Sequence, residues 1–512
     1  MRRFLFSGII FLTLFLTAGV ARASEQEEPA APAAGSTTSS SDDVEELKAE
    51  IEALKKKLQE MPDLGEEIKE LEKKLESVQK VTAKIDSEEA KLKEEKKERA
   101  IAYYRDGFFI ETPDKKFRLQ ITGVLHFDTR IFSGDEQGSP TSFDIRRGRY
   151  DFRGNLYRGD IEHQFRLQIE MADTPYLRNA YWMFKFRPEL NLQLGQFKTP
   201  AGGADWLTEE AQVNFIEYSI LPPVTPFFDR GFNLHSFFAG GKIQTCLAIV
   251  TGVGTDFDAP QGDYDNHKDY AARVLLVPFK GKKDHPLEGL HAAGSFQQGL
   301  ASVAAKQGGE TGMRTENYES KWYEWKSTAL DIEKRTRYGW DLHYIRGPFI
   351  VSYEWDRIEW KNVTSYTSGI GNLRGAAHSD AGQIWVSYFP TGEQKTFEDV
   401  FFAWRQPKPK KNLSIKEKTW GGWELMGKYA WKNTSKELFD LGILDGSRKG
   451  YTVTGGVRWL WDPKVRIMAD INYCKSTEGK GIIVQYADKG SASQKRYVEH
   501  ETALLVRFIL TI

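Results

Sequence analysis

Residues 143–200 carry the side chains best suited to chemistry with an anion. Arg147, Arg149 and Arg153 fall on one face of the run RRGRYDFR, and Arg166 stands in the next run. A guanidinium presents a planar fork of N–H donors that matches tetrahedral oxyanions. Such a row reads as a surface that attracts phosphate or a similar anion. Arg118 and Arg130 hold equivalent positions in the preceding run, and Lys198 closes the segment. Asp128, Asp151, Glu162, Glu170 and Asp341 share these faces, so transverse ion pairs that hold a wall together are the competing reading.

Covalent chemistry finds less support. Asn233, His235 and Ser236 are the residue types of a membrane phospholipase, but on a strand Ser236 points away from His235, so neighbours cannot form that triad. Cys246 and Cys474 are too far apart in sequence for a metal motif. Both are expected as free thiols, with a disulfide between them as the alternative. No Gly-rich phosphate loop, HExxH or GxSxG stands in a convincing context. No catalytic residue, metal or cofactor is expected.

The elements that would position the arginines show a period of two. Tyr150, Phe152 and Leu156 oppose Arg147, Arg149, Asp151, Arg153 and Asn155; Phe165, Leu167, Ile169 and Met171 oppose Glu162, Gln164, Arg166, Gln168 and Glu170. Two further runs repeat the arrangement, with Trp182, Phe184 and Phe186, then Leu190, Leu192 and Leu194, on the apolar side. Short turns separate the runs, as in a β-meander. A soluble sandwich alternates as well, but strands of about ten residues with one apolar and one charged face suit a barrel with lipid outside and water inside.

The chain's start is read as an export signal over residues 1–23: Arg2 and Arg3, an apolar run, then Ala21-Arg22-Ala23. No second apolar run of membrane-spanning length follows, and mean hydropathy is -0.52 with a net charge of -1. Residues 24–41 read as a disordered linker rich in Ala, Pro, Ser and Thr. Over residues 42–99, Val44, Leu47, Ile51, Leu54 and Leu58, then Ile68, Leu71, Leu75, Val78, Thr82 and Ile85, alternate spacings of three and four, as in an α-helical coiled coil. The break at Pro62 and Gly65 leaves open a bundle of several chains or a hairpin within one. Residues 105–512 then form the strand-rich domain.

Several segments of this domain resemble the phosphate-selective porin O and P family: Arg146-Arg147-Gly148-Arg149, Phe165-Arg166-Leu167-Gln168, Leu192-Gln193-Leu194-Gly195-Gln196-Phe197-Lys198-Thr199-Pro200, Asp229-Arg230-Gly231 and Trp461-Asp462-Pro463. They stand in the order that the family shows. The resemblance implies an all-β transmembrane barrel of about sixteen antiparallel strands, usually a trimer, with a loop folded inward and basic side chains guiding anions. The coiled coil is no part of that family's core.

The long connection over residues 199–230 is the candidate for that loop, with Lys198, Trp206, Glu209 and Glu210 near the constriction. Residues 296–327, 362–380 and 396–418 are polar and irregular, as extracellular loops would be. The expected protein is an outer-membrane porin, passing phosphate or other small anions by passive diffusion past Arg118, Arg130, Arg147, Arg149, Arg153, Arg166 and Lys198. Its expected partners are outer-membrane lipid, two further copies of itself and, through a periplasmic coiled coil, the cell wall, with no nucleic acid. A sugar-selective porin, which needs a track of aromatic rings, and a structural tether are the alternatives.

Overall fold

The computed structural model describes residues 40–58, 65–133, 141–172, 174–218, 228–252, 267–301, 312–327, 330–398, 403–486 and 494–512. The expected signal, most of the linker and the Pro62 break lie outside the described residues. Contacts divide the chain into two units, Met1–Lys96 and Lys97–Ile512.

The first unit holds the two helices that the spacing predicts, α1 (Ser40–Leu58) and α2 (Gly65–Glu98). Leu, Glu, Lys and Ala dominate them and lose little rotamer freedom in a helix. Lys55 on α1 lies 2.9 Å from Glu72 on α2, and Ile51 and Ile68 are buried. Such a bridge is what the hairpin arrangement requires. The longer α2 runs on, with Val78, Val81 and Ile85 exposed.

The second unit is a closed antiparallel barrel of 16 strands. We number the wall β1 (Arg118–Ser133), β2 (Ser142–Arg158), β3 (Glu162–Glu170), β4 (Tyr176–Arg187), β5 (Leu190–Lys198), β6 (Phe228–Phe238), β7 (Ile243–Val250) and β8 (Asp269–Leu276). It continues with β9 (Leu290–Ala301), β10 (Leu330–Arg346), β11 (Phe349–Ser365), β12 (Leu373–Tyr388), β13 (Gly422–Thr434), β14 (Leu444–Leu460), β15 (Val465–Gly479) and β16 (His500–Thr511). Each pairs with the next, and β16 returns to β1 from Thr502 opposite Ser133 to Thr511 opposite Val124. A short hairpin, Ile101–Tyr104 with Phe108–Glu111, adds to the start of β1.

Closure matters because an unpaired backbone N–H or C=O in hydrocarbon costs several kcal/mol. The side chains divide sharply between the outer and the inner face. Leu125, Phe127, Tyr150, Leu167, Trp182, Leu247, Trp340, Leu425 and Phe508 are exposed, whereas Asp128, Arg130, Arg149, Asp151, Arg273, Asp341 and Arg458 are buried. That is a soluble protein turned inside out, and the two-residue period of each strand produces it.

Odd-numbered strands run away from the end that carries Arg118 and Thr511, here the near end; even-numbered strands run back. Three connections fold into the barrel. The described part of the β5–β6 loop, residues 199–218, enters from the far end, and so does the β9–β10 segment at residues 312–327, which pairs with β14 between Tyr323 and Gly446. The described parts of the β12–β13 segment, residues 389–398 and 403–421, enter from the near end.

The sequence-based loop assignments therefore need correction. Residues 396–418 belong to the end opposite the other two stretches, so the three cannot all be extracellular. Phe296 lies within β9, and Asn362 and Asp380 lie within β11 and β12, because the hairpin between them continues the wall almost to its tip.

Candidate functional site

The inward β5–β6 loop buries main chain in the middle of a barrel, and every such group needs a partner. The wall supplies them. On one side Arg273 donates to the Gly202 carbonyl at 2.7 Å, and Glu354 accepts from the Asp205 N–H at 2.9 Å. On the other, Arg458 donates to the Asn214 carbonyl at 2.6 Å, Arg466 donates to the Ala211 carbonyl at 2.7 Å, and Asp470 accepts from the Ile216 N–H at 2.7 Å. The loop thus crosses the lumen, hung from charged side chains on both walls. At Gly203 a Cβ would sit 2.3 Å from a Glu354 carboxylate oxygen, so a larger residue there would have to displace that carboxylate.

The near-end segment meets the loop from the other side. The Trp404 N–H donates to Thr208 Oγ1 at 2.9 Å; Gln406 Nε2 donates to the Gln212 carbonyl at 2.9 Å, and Lys395 Nζ to Asn214 Oδ1 at 2.9 Å. Phe215, Trp385, Phe389 and Trp404 form one buried cluster where loop, wall and segment join. The two inserts are joined by these bonds and by this cluster.

The loop's carboxylates meet several of the arginines that the sequence singles out. Arg149 bonds Glu170 at 2.5 Å and also Glu210; Arg166 bonds Asp151 and Glu209, each at 2.6 Å. Arg130 lies between Asp128 at 2.8 Å, Glu217 at 3.3 Å and Glu319 at 2.9 Å. Lys198 Nζ donates to the Trp206 and Thr208 carbonyls, both at 2.8 Å. These four fasten the loop to the wall. Burial pushes Glu209 up, but the charge and hydrogen bond of Arg166, with Lys198, outweigh it and hold its carboxyl at about 2. Glu210 and Glu217 are likewise held well below the usual carboxylate range: burial works against them, and the guanidiniums of Arg149 and Arg178, and of Arg146 and Arg507, prevail.

The other three face elsewhere. Arg118 lies over the Phe109 ring at 4.4 Å, Arg153 keeps 38% of its side chain exposed, and Arg147 donates to the Arg146 carbonyl at 2.7 Å. Arg146 itself escapes a simple reading by alternation. Between His126/Phe127 on β1 the register shifts against Arg147/Ile145, so Arg146 is the extra residue of a β-bulge. Both consecutive arginines therefore turn inward, and Arg146 bonds Glu217 at 2.9 Å beneath the Tyr318 ring. The doubled arginine is the only sequence signal for this.

Below the constriction, at the near end, lies an open cavity of ≈ 680 Å³. Arg118, Arg149, Arg153, Arg158, Arg166, Arg405 and Arg466 line it with Lys185, Lys408 and Lys464, against the carboxylates of Asp106, Asp151, Glu209 and Asp462. Asp462 is occupied in capping the Lys464 and Val465 N–H groups at 2.6 and 2.8 Å, and Asp106 pairs with Lys408 at 3.2 Å. A net positive surface remains. Low-dielectric walls concentrate its field and raise the local anion concentration.

Cys246 and Cys474 are buried free thiols, as expected. Cys246 Sγ lies 3.2 Å from His235 Nδ1, and His235 Nε2 lies 2.8 Å from Gln193 Oε1. Ser236 has no part in that contact.

Residues 119–492 match the family model described as phosphate-selective porin O and P. Similar solved structures include OmpT, an outer membrane protein of Vibrio cholerae, with 12% identity and a TM-score of 0.46 over 77% of this chain and 98% of that one. An anion-selective porin from Comamonas acidovorans matches with 11% identity and a TM-score of 0.45, covering 77% and 99%. The outer membrane channel DcaP of Acinetobacter baumannii matches with 10% identity and a TM-score of 0.45, covering 79% and 100%. Among curated proteins there is no match.

Proposed function

The chain belongs to the phosphate-selective porin O and P family, and on that basis we propose that it is an outer-membrane channel that passes small inorganic anions, phosphate or polyphosphate among them, by passive diffusion. The observation that carries this reading is the excess of guanidinium and ammonium groups over carboxylates around the near-end cavity. Anions gather there before the constriction, and cations are repelled. The residues assigned to the vestibule are Arg118, Arg153 and Arg466, together with the matched Arg149 and Arg166. Arg130 and Lys198 act deeper, where they set the position of the inward loop, and Arg147 adds positive charge to the wall beside them.

The working form is a homotrimer in the outer membrane, exported by residues 1–23, with residues 42–99 in the periplasm as a coiled coil that can reach the cell wall. No covalent step is needed. Planar-bilayer recording tests the channel reading directly: block of chloride current by millimolar phosphate supports it. A sugar channel would instead show block by maltooligosaccharides. The cavity lining contributes few rings to such a track, Phe165 and Tyr181 among them.

A further inference from the structure

The last stretch of the near-end segment turns out of the lumen and ends on the outside of the wall. Leu413 and Ser414 pair with Trp420 and Thr419 as a short hairpin. The Leu413 N–H donates to the Trp461 carbonyl at 2.6 Å, and Trp459 Nε1 donates to the Trp420 carbonyl at 2.8 Å. Trp459 on β14 stands opposite Trp423 on β13, and their rings stack with centroids 5.1 Å apart. Two residues along each strand, on the same face, Val457 and Leu425 are exposed on the outer wall. The hairpin is thus fastened to the lipid-facing rim of the barrel.

Tryptophan gathers where hydrocarbon gives way to headgroups, because its ring is apolar and its N–H polar. Trp420, Trp423, Trp459 and Trp461 meet at this rim, with Trp461 edge-on to Trp459 at 5.0 Å. The turns at the near end are short, residues 188–189 between β4 and β5 and residues 347–348 between β10 and β11. Barrels that cross an outer membrane keep their short turns on the periplasmic side. The rim therefore lies at the leaflet that faces the periplasm, where the lipids are phospholipids.

The hairpin tip has the chemistry of that interface. Ile415 is 94% exposed, more than any other large apolar side chain among the described residues, and Trp420 is 68% exposed. In water such a tip is unfavourable, whereas at a bilayer surface it buries apolar area in the boundary between headgroups and acyl chains. Lys411, Lys416 and Lys418 flank it, all exposed. Their ammonium groups have no carboxylate partner among the described residues, whereas Lys408, a few residues earlier, is paired with Asp106 at 3.2 Å. Glu417 is the single carboxylate among them, so the tip keeps a net positive charge.

We infer that this hairpin is a docking surface for an anionic phospholipid of the inner leaflet. Ile415 and Trp420 enter the boundary layer, and Lys411, Lys416 and Lys418 meet the headgroup phosphate. This contact is independent of which ion the channel passes. It also reaches the bore: Trp404 and Gln406, which bond the inward loop, belong to the same continuous stretch, residues 403–421.

Native mass spectrometry of the full chain, released from detergent micelles that hold equimolar phosphatidylglycerol and phosphatidylcholine, tests this. Wild type is expected to retain phosphatidylglycerol about threefold over phosphatidylcholine, and a Lys411→Gln, Lys416→Gln, Lys418→Gln triple variant to bring that ratio near parity. Ile415→Ser is expected to lower retention of both lipids while the ratio holds. Equal retention of the two lipids by wild type, or the wild-type ratio in the triple variant, would overturn the inference. Loss of multimeric species in the triple variant with the lipid ratio unchanged would overturn it too, and would assign the hairpin to a contact between copies of the chain. A non-selective current with the lipid preference intact would remove the channel reading and leave this contact standing.

Discussion

Glu209 Oε1 on the inward loop lies 2.6 Å from Arg166 Nη1 on β3, so the loop itself covers a charge that the wall would otherwise present to the lumen. The carboxyl is held at about 2, against 4.5 for a free glutamate. A folded-state pKa below the undocked value means that the pairing stabilises the docked loop fully above about pH 4.5. That contribution is lost as pH falls through about 2. Single-channel conductance is therefore expected to hold steady from pH 7 to pH 5 and to change, with more frequent gating, only as pH approaches 2. A transition centred near pH 6 would assign the gating to another group.

Neutralising the same carboxylate at pH 7 changes selectivity without acid. In Glu209→Gln, Arg166 keeps Asp151 as its partner at 2.6 Å but gains net positive influence on the vestibule. The anion-to-cation permeability ratio is expected to rise about twofold, read from the reversal potential in a potassium chloride gradient.

Glu210 carries more of the loop's attachment, because both Arg149 and Arg178 bond it. Glu210→Ala leaves the buried Arg149 and the partly buried Arg178 short of a partner and is expected to destabilise the folded barrel by about 3–5 kcal/mol. Urea titration monitored by tryptophan fluorescence measures the loss. Glu324, at the far-end insert, serves as the control: it pairs with the partly exposed Lys495 at 2.7 Å, and its replacement by Gln is expected to cost under about 1 kcal/mol.

The wall was readable from the sequence because a strand has a strict period of two. The apolar residues around Tyr150, Leu167 and Trp182 and the charged residues between them settle on opposite faces as their spacing requires. Glu209 and Glu210 could be named as candidates for an inward loop because the connection is long and breaks the strand alternation, but an ordinary surface loop shows the same features. What was not readable is non-local. No spacing rule reveals that Arg146 is bulged, since the shift depends on how β1 pairs with β2. Nor does composition show that residues 403–421 enter from the near end, because a polar segment rich in Lys reads alike on either side of a membrane. The same blindness hides Arg466, whose bond to the Ala211 carbonyl of the inward loop joins residues far apart in the sequence.

That near-end segment is expected to limit the bore. Trp404 packs edge-on against Trp385 and Phe397, each at 5.2 Å, and against His343 at 5.1 Å. Trp404→Ala is expected to cost about 3–5 kcal/mol in urea unfolding. Where the barrel still folds, single-channel conductance is expected to increase as the segment loosens from Thr208.

The vestibule's charge is tested most directly by reversal potential. Wild type and an Arg118→Gln, Arg153→Gln, Arg466→Gln triple variant would be compared in planar bilayers under a tenfold potassium chloride gradient. An anion-selective potential in wild type that moves toward zero in the triple variant is the expected result. A cation-selective wild type, or a triple variant with the wild-type potential, would contradict the account.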